Sequence, residues 1–267
     1  MSDALPQTEK MLSRKEGGIG IMTFNNPERH NAVSMEMWQA GAKILADFAA
    51  DESVRVVVIT GAGGKAFVSG ADISKFESER SSTEAVAAYN AETAKVYEGL
   101  YNFPKPTIAM VRGHCIGGGT ALAVSCDLRI ANDGATFGIP AAKLGLGYGI
   151  TGIDRLVHLV GPAFAKEMFF TARRFSAAEA LAMGLVNRVV PTDELENTVM
   201  ELARTIAGNA PLTVNSTKFI INEAVKAEAE RDHAKCAALV AACFASADYI
   251  EGRRAFLEKR PPQFTGR

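Results

Sequence analysis

The sequence has little that would fix a fold through metal or heavy cross-linking. Its 267 residues include four cysteines, Cys115, Cys126, Cys236 and Cys243, with no CxxC pair and no histidine at zinc-ligand spacing. A metal cluster therefore has little support, and buried free thiols are expected. Cys236 and Cys243 are seven residues apart, which places both on one face of a helix. An excess of one charge is also missing: 29 Lys and Arg against 30 Asp and Glu leave a formal net charge of -1. No broad cationic surface follows, so nucleic acid is not the expected partner. No apolar run reaches membrane-spanning length, and MSDALPQTEK has neither the basic start nor the apolar stretch of a leader. The expectation is a soluble, cytoplasmic protein. Internal repeats of fixed period and low-complexity linkers are absent too.

Apolar material for a core is abundant, at 48% of residues, enough for one large domain or one domain with a small appendage. Ile19 to Phe24 (IGIMTF) reads as a strand closed by Asn25, Asn26 and Pro27. Ser34 then offers an N-cap for a helix from Met35, along which Trp38, Ala42, Leu45 and Phe48 recur at helical spacing. Val54 to Thr60 (VRVVVIT) has the β-branched apolar character of a strand buried on both faces. A polar stretch from Glu77 to Glu84 predicts a mobile surface loop. A helical pattern follows from Glu84 to Tyr101 and stops before Pro104 and Pro106; Thr107 to Val111 is another buried strand. The glycine turn Gly113 to Gly119, the apolar helix TALAVSC and the strand Asp127 to Ala131 repeat the strand, turn and helix order. This predicts a parallel α/β core with crossovers. From Gly161 the pattern is mainly helical apart from a strand over Leu185 to Val190. Helices are expected over Leu195 to Ala207, Pro211 to Lys226 and around Cys236, and an appendage of this kind commonly supports self-association.

Two glycine turns compete as ligand sites. Gly61-Ala62-Gly63-Gly64-Lys65-Ala66 superficially fits a dinucleotide fingerprint, but no amphipathic helix begins in Phe67 to Asp72. Read as a phosphate loop it fails as well, because Ala66 stands where Ser or Thr is needed. A tight exposed turn is the better reading. At Gly117 to Gly119 a buried strand meets an apolar helix, so free NH groups and the positive helix end converge on one point. Glycine lets a substrate approach that backbone, which suits an anion or a developing oxyanion. A close helix-to-strand contact would need the same glycines.

SGADI at Ser69 to Ile73, HCIGGGTALAVSCDLRIA from His114, FGIPAAKLGLGYG at Phe137 to Gly149, GPAFAKEMFFTARRFSAAEALAMGLVNRVV and DYIEGRRAFLEKRPPQF together resemble the enoyl-CoA hydratase/isomerase (crotonase) family over nearly the whole chain. The resemblance implies an α/β fold, a spiral of ββα units over residues 1–200. A helical region over residues 201–267 would serve oligomerisation and cover the active site. It implies a homotrimer or dimer of trimers, an acyl-CoA thioester as substrate, coenzyme A as part of that substrate and no prosthetic group or metal. The backbone NH groups of Ala71 and Gly118 would form the oxyanion hole for a thioester enolate. Arg29, Ala32, Ala71, Asp72, Ile73 and Lys259 match positions that contact CoA.

The chain departs from that family at two places. A typical hydratase of the family carries a glutamate two residues after the glycine triplet and another after the proline of FGxPE. Here these are Ala121 and Ala141, and an alanine side chain exchanges no proton. Asp127, Asp133 and Asp154 are the stand-ins considered, Asp154 being the least implausible. Tyr148 lies in the LGLGYGITG loop, and this loop is similar to that of bacterial methylmalonyl-CoA decarboxylase, a member of the same family. Its hydroxyl could hold a substrate carboxylate, although the histidine which that enzyme carries in its SGADI-like motif is Ala71 here. Three readings stand: a family lyase or isomerase working through a thioester enolate, a decarboxylase of a malonyl-type thioester using Tyr148, and a non-catalytic acyl-CoA binding protein. His114 is expected to be hydrogen-bonded in the core, since no nucleophile elbow accompanies it.

Overall fold

The computed structural model describes residues 8–72, 75 and 81–267. Its ten strands are β1 (Met11–Glu16), β2 (Ile19–Phe24), β3 (Val56–Gly61), β4 (Ala66–Val68), β5 (Thr107–Val111), β6 (His114–Ile116), β7 (Leu128–Asn132), β8 (Thr136–Gly138), β9 (Phe175–Ser176) and β10 (Arg188–Val190). The helices that shape the core are α1 (Met35–Ala50), α2 (Thr83–Tyr101), α3 (Gly118–Ser125), α4 (Ala141–Leu144), α5 (Ile150–Thr171) and α6 (Ala177–Ala182). After them come α7 (Leu195–Gly208), α8 (Pro211–Ala224), α9 (His233–Ala245) and α10 (Ala247–Glu258).

Strands pair into a six-stranded sheet ordered β1-β2-β3-β5-β7-β10 and a four-stranded sheet ordered β4-β6-β8-β9. Consecutive turns of chain explain both. β3 enters the first sheet, β4 the second, and α2 returns the chain; β5, β6 and α3 repeat this, and so do β7, β8 and α4. The parallel pairs β3 with β5, β5 with β7, β4 with β6 and β6 with β8 are the result. This is the α/β spiral of ββα units that the resemblance implies.

The apolar run in β3 has a simple cause. Val57 and Ile59 point into the main core with Trp38 and Phe48 of α1, while Val56 and Val58 point to the other face, against Leu195, Val199, Met200 and Ala203 of α7. A strand with a helix on each face has no solvent side, and alternation disappears from its sequence. α3 is likewise buried nearly all round and runs between the sheets and the outer helices.

Several expectations hold almost to the residue, including β2, β5, α7 and the start of α1 after Ser34. Three-residue strands β4, β6 and β8 were not predicted, being too short to show a period. Of the polar stretch Glu77 to Glu84 only residues from 81 onward are described, and α2 already begins at Thr83. Cys115 and Cys126 are buried, and burial pushes the Cys126 thiol up to about 12 and the Cys115 thiol higher. Cys236 and Cys243 are only partly buried in the single chain, because α9 has no buried residue. Among the described residues no helix is long and apolar enough to cross a membrane, and no three acidic, histidine or cysteine side chains cluster as a metal site.

Candidate active site

The two segments singled out by their glycines meet. Gly70 (φ 101°) and Gly117 (φ 57°) both take the left-handed backbone that glycine favours. A Cβ on Gly70 would lie 3.4 Å from the Gly118 nitrogen. One edge of the SGADI segment is occupied, since the Val33 NH donates to the Gly70 carbonyl at 2.9 Å and the Asp72 NH to the Val33 carbonyl at 3.0 Å. That parallel bridge turns the intervening Ala71 NH the other way. Gly118 opens α3, so its NH has no carbonyl one turn earlier in the helix to bond. Among the described residues neither NH makes a hydrogen bond.

The turn beneath them is pinned. Gly117 NH donates to the Gly138 carbonyl at 2.8 Å, and the Thr120 hydroxyl reaches the carbonyls of Cys115 at 2.8 Å and Gly138 at 3.1 Å. Arg129, buried at the far end of α3, donates to the carbonyls of Cys126 (2.6 Å), Ala123 (3.3 Å) and Leu185 (2.8 Å). The Cys126 carbonyl is one that the end of α3 leaves over, and the Leu185 bond ties that end to the segment after α6.

Ala71 and Gly118 lie at the wall of a cavity of about 490 Å³ bounded by α2, α3, α4 and the loop into α5. Ala121, Ala141 and Tyr148 line the same cavity. Tyr148 is half-buried and meets Phe169 edge-on, with ring centroids 5.1 Å apart. From α2 the cavity receives Tyr89, Asn90, Thr93, Tyr97 and Glu98. Tyr89 accepts the Trp38 indole NH at 2.9 Å, and the Tyr97 hydroxyl donates to the Gly118 carbonyl at 3.4 Å.

The carboxylates proposed from sequence are committed elsewhere. Asp127 accepts from the Thr107 NH and hydroxyl and from Lys218 (2.7 Å); Asp133 accepts from Thr192; Asp154 is exposed and pairs with His158. Among the described residues Glu98 is the one carboxylate that lines the cavity. Sequence reasoning missed it, although Asn90, Ala94 and Glu98 follow one another at four-residue intervals, the spacing of a helix face.

The residues matched to CoA contacts fall into two groups. Arg29, Ala32 and Asp72 come together, with Arg29 paired to Asp72 at 3.6 Å. The buried Asn31 ties this corner down through bonds to the Ala62 (2.9 Å) and Ala66 (2.7 Å) carbonyls and from the Asn26 NH. Ile73 lies outside the described residues. Lys259 is exposed at the left-handed end of α10 and does not line the cavity. His114 meets the Thr136 hydroxyl at 2.8 Å and the His30 ring edge-on. Neither Ser69, bonded to the Arg29 carbonyl, nor Ser125, bonded to the Ala121 carbonyl, engages it, and no triad forms.

Residues 14–267 match the profile of the enoyl-CoA hydratase/isomerase family. The chain is 37% identical to a short-chain-enoyl-CoA hydratase of Clostridium acetobutylicum, over 95% of this chain and 97% of that one. It is also 37% identical to a crotonyl-CoA hydratase of Syntrophomonas wolfei, over 96% and 98%. A crystal structure of an enoyl-CoA hydratase from Bacillus anthracis superposes with a TM-score of 0.88 at 32% identity, covering 97% of this chain and all of the other.

Proposed function

As this chain belongs to the enoyl-CoA hydratase/isomerase family, we propose that it binds an acyl-CoA thioester in the cavity beside Ala71 and Gly118 and stabilises the enolate of that thioester. The observation that carries this reading is the pair of unbonded NH groups at the cavity wall. Donors already aimed where negative charge develops cost no reorganisation during reaction, and each such donor lowers the barrier by about 3 kcal/mol. Their common target would be the thioester oxygen. Arg29, Ala32 and Asp72 would line the path of the CoA moiety, and Lys259 would reach it from the end of α10. CoA enters only as part of the substrate, and no metal or prosthetic group has a step to perform.

With Ala121 and Ala141 in the cavity, the ordinary arrangement of two carboxylates around an attacking water is not available. Tyr148 supports a second reading. Its phenol faces the same cavity, and decarboxylation of a malonyl-type thioester needs the enolate to be stabilised but no base to take a carbon-bound proton. The exposed apolar side chains of α8 to α10, among them Ile221, Phe244, Ile250, Phe256 and Leu257, support association into a trimer or a dimer of trimers. A single-chain mass in light scattering would end that assignment.

The deciding experiment offers the purified protein 2-enoyl-CoA, 3-enoyl-CoA and malonyl-type CoA thioesters and identifies products by mass spectrometry. Products from the enoyl esters are expected. Turnover of the carboxylated esters alone transfers the assignment to decarboxylation. Binding of every ester with no product leaves an acyl-CoA binding protein.

A further inference from the structure

The cavity contains a charge arrangement that the family comparison leaves without a role. Arg155 of α5 is buried, with 5% of its side chain exposed, and its guanidinium is held from three sides. Nη1 donates to the Tyr97 carbonyl at 3.2 Å and to Ser125 Oγ at 3.0 Å, Nη2 pairs with Glu98 Oε2 at 2.7 Å, and the group lies 4.2 Å from the Tyr101 ring centroid. A buried cation requires a counter-charge, and Glu98 supplies it. The Glu98 side chain is 46% exposed and lines the cavity.

The pair is one-pronged. Among the described residues both contacts of the carboxylate fall on Oε2, from Arg155 at 2.7 Å and from the Asn102 side-chain amide at 3.4 Å. The Arg155 Nε is buried and makes no hydrogen bond among the described residues. A two-pronged clamp would have used that nitrogen together with Oε1. One oxygen is therefore anchored and the other left over. A chain of contacts also runs from the carboxylate to the vacant glutamate position: Glu98 to Arg155, Arg155 to Ser125 Oγ, and Ser125 Oγ to the Ala121 carbonyl at 2.8 Å.

From this geometry we infer that Glu98 is a catalytic residue, exchanging a proton with C2 of an acyl-CoA thioester through Oε1, while Arg155 positions it. The inference rests on the enolate reading above. In the forward step the C2–H bond breaks, its proton goes to Oε1, and its electron pair passes into the thioester enolate. In the reverse step the Oε1–H bond delivers its proton to C2 and the electrons return to the C–H bond. A 3-enoyl thioester deprotonated at C2 and reprotonated at C4 by the same carboxylate becomes the 2-enoyl isomer. No oxidant or second reactant is needed.

The test compares the wild type with Glu98→Gln, which keeps an acceptor for Arg155 and removes the exchangeable carboxyl proton. Deuterium uptake at C2 of butanoyl-CoA in heavy water is followed by mass spectrometry, with butanoyl-CoA affinity and the melting temperature measured alongside. The variant is expected to lose exchange roughly 100-fold or more, the low end for removing an acid–base group, with affinity and melting unchanged. An ion pair that only ties α2 to α5 predicts the reverse, a lower melting temperature with exchange per folded molecule intact, and this overturns the role of Glu98. Equal exchange in the two proteins also overturns it while sparing the enolate reading. A wild type that binds butanoyl-CoA and exchanges nothing overturns both.

Discussion

The carbonyl oxygen of Val68 lies 1.9 Å from the point that a Cβ on Gly119 would occupy. β4 and the first turn of α3 are pressed together backbone to backbone, and this contact holds the SGADI segment beside the Gly118 NH. No side chain fits, and neither neighbour is a flexible tip that could move aside. Gly119→Ala is expected to destabilise the protein by about 3 kcal/mol or more and to lose acyl-CoA turnover. Thermal melting of the purified variant checks this; an unchanged melting temperature would show that the two segments part without cost.

Ala121 and Ala141 both line the cavity, so carboxylates can be returned there. The Ala121→Glu, Ala141→Glu double variant is expected to hydrate crotonyl-CoA at least ~100-fold faster than the parent, the usual worth of positioned acid–base groups. Steady-state kinetics with crotonyl-CoA decide it. No gain would mean that the cavity departs from a hydratase site in more than two side chains.

His114 sits beside the glycine turn with its proton affinity lowered, first by burial and then by the nearby Arg174 and His30. The native state therefore favours the neutral ring. Stability from this residue is full above the ordinary value of 6.5 and is lost as pH falls from there toward the depressed native value, because the unfolded chain takes up the proton first. A His114→Gln variant lacks this term. Urea midpoints are expected to fall more steeply for the wild type than for the variant below pH 6.5, and parallel curves would refute the assignment.

The chain order of the fold was visible where segments are long and buried. β3 and β5 are recognisable as unbroken apolar runs, and α1 and α7 as helical periods, because each pattern follows from the faces the element buries. β4, β6 and β8 escaped notice, since three residues carry no period, yet these strands build the second sheet and bring Gly70 to Gly118.

By itself the sequence determined that Ala121 and Ala141 have no proton to exchange, whatever surrounds them. It also marked the Gly117 to Gly119 turn as a helix start whose glycines serve either an anion or a close helix-to-strand contact. Only the tertiary structure decided which carboxylate faces the cavity. Asp127, Asp133 and Asp154 were the stand-ins read from sequence and Glu98 was not among them, but the first two are consumed by Lys218 and Thr192, and the third is turned to solvent. The reason is physical: a side chain's availability depends on the partners that distant segments bring to it. For Glu98 that partner is Arg155, 57 residues away in sequence and 2.7 Å away in space.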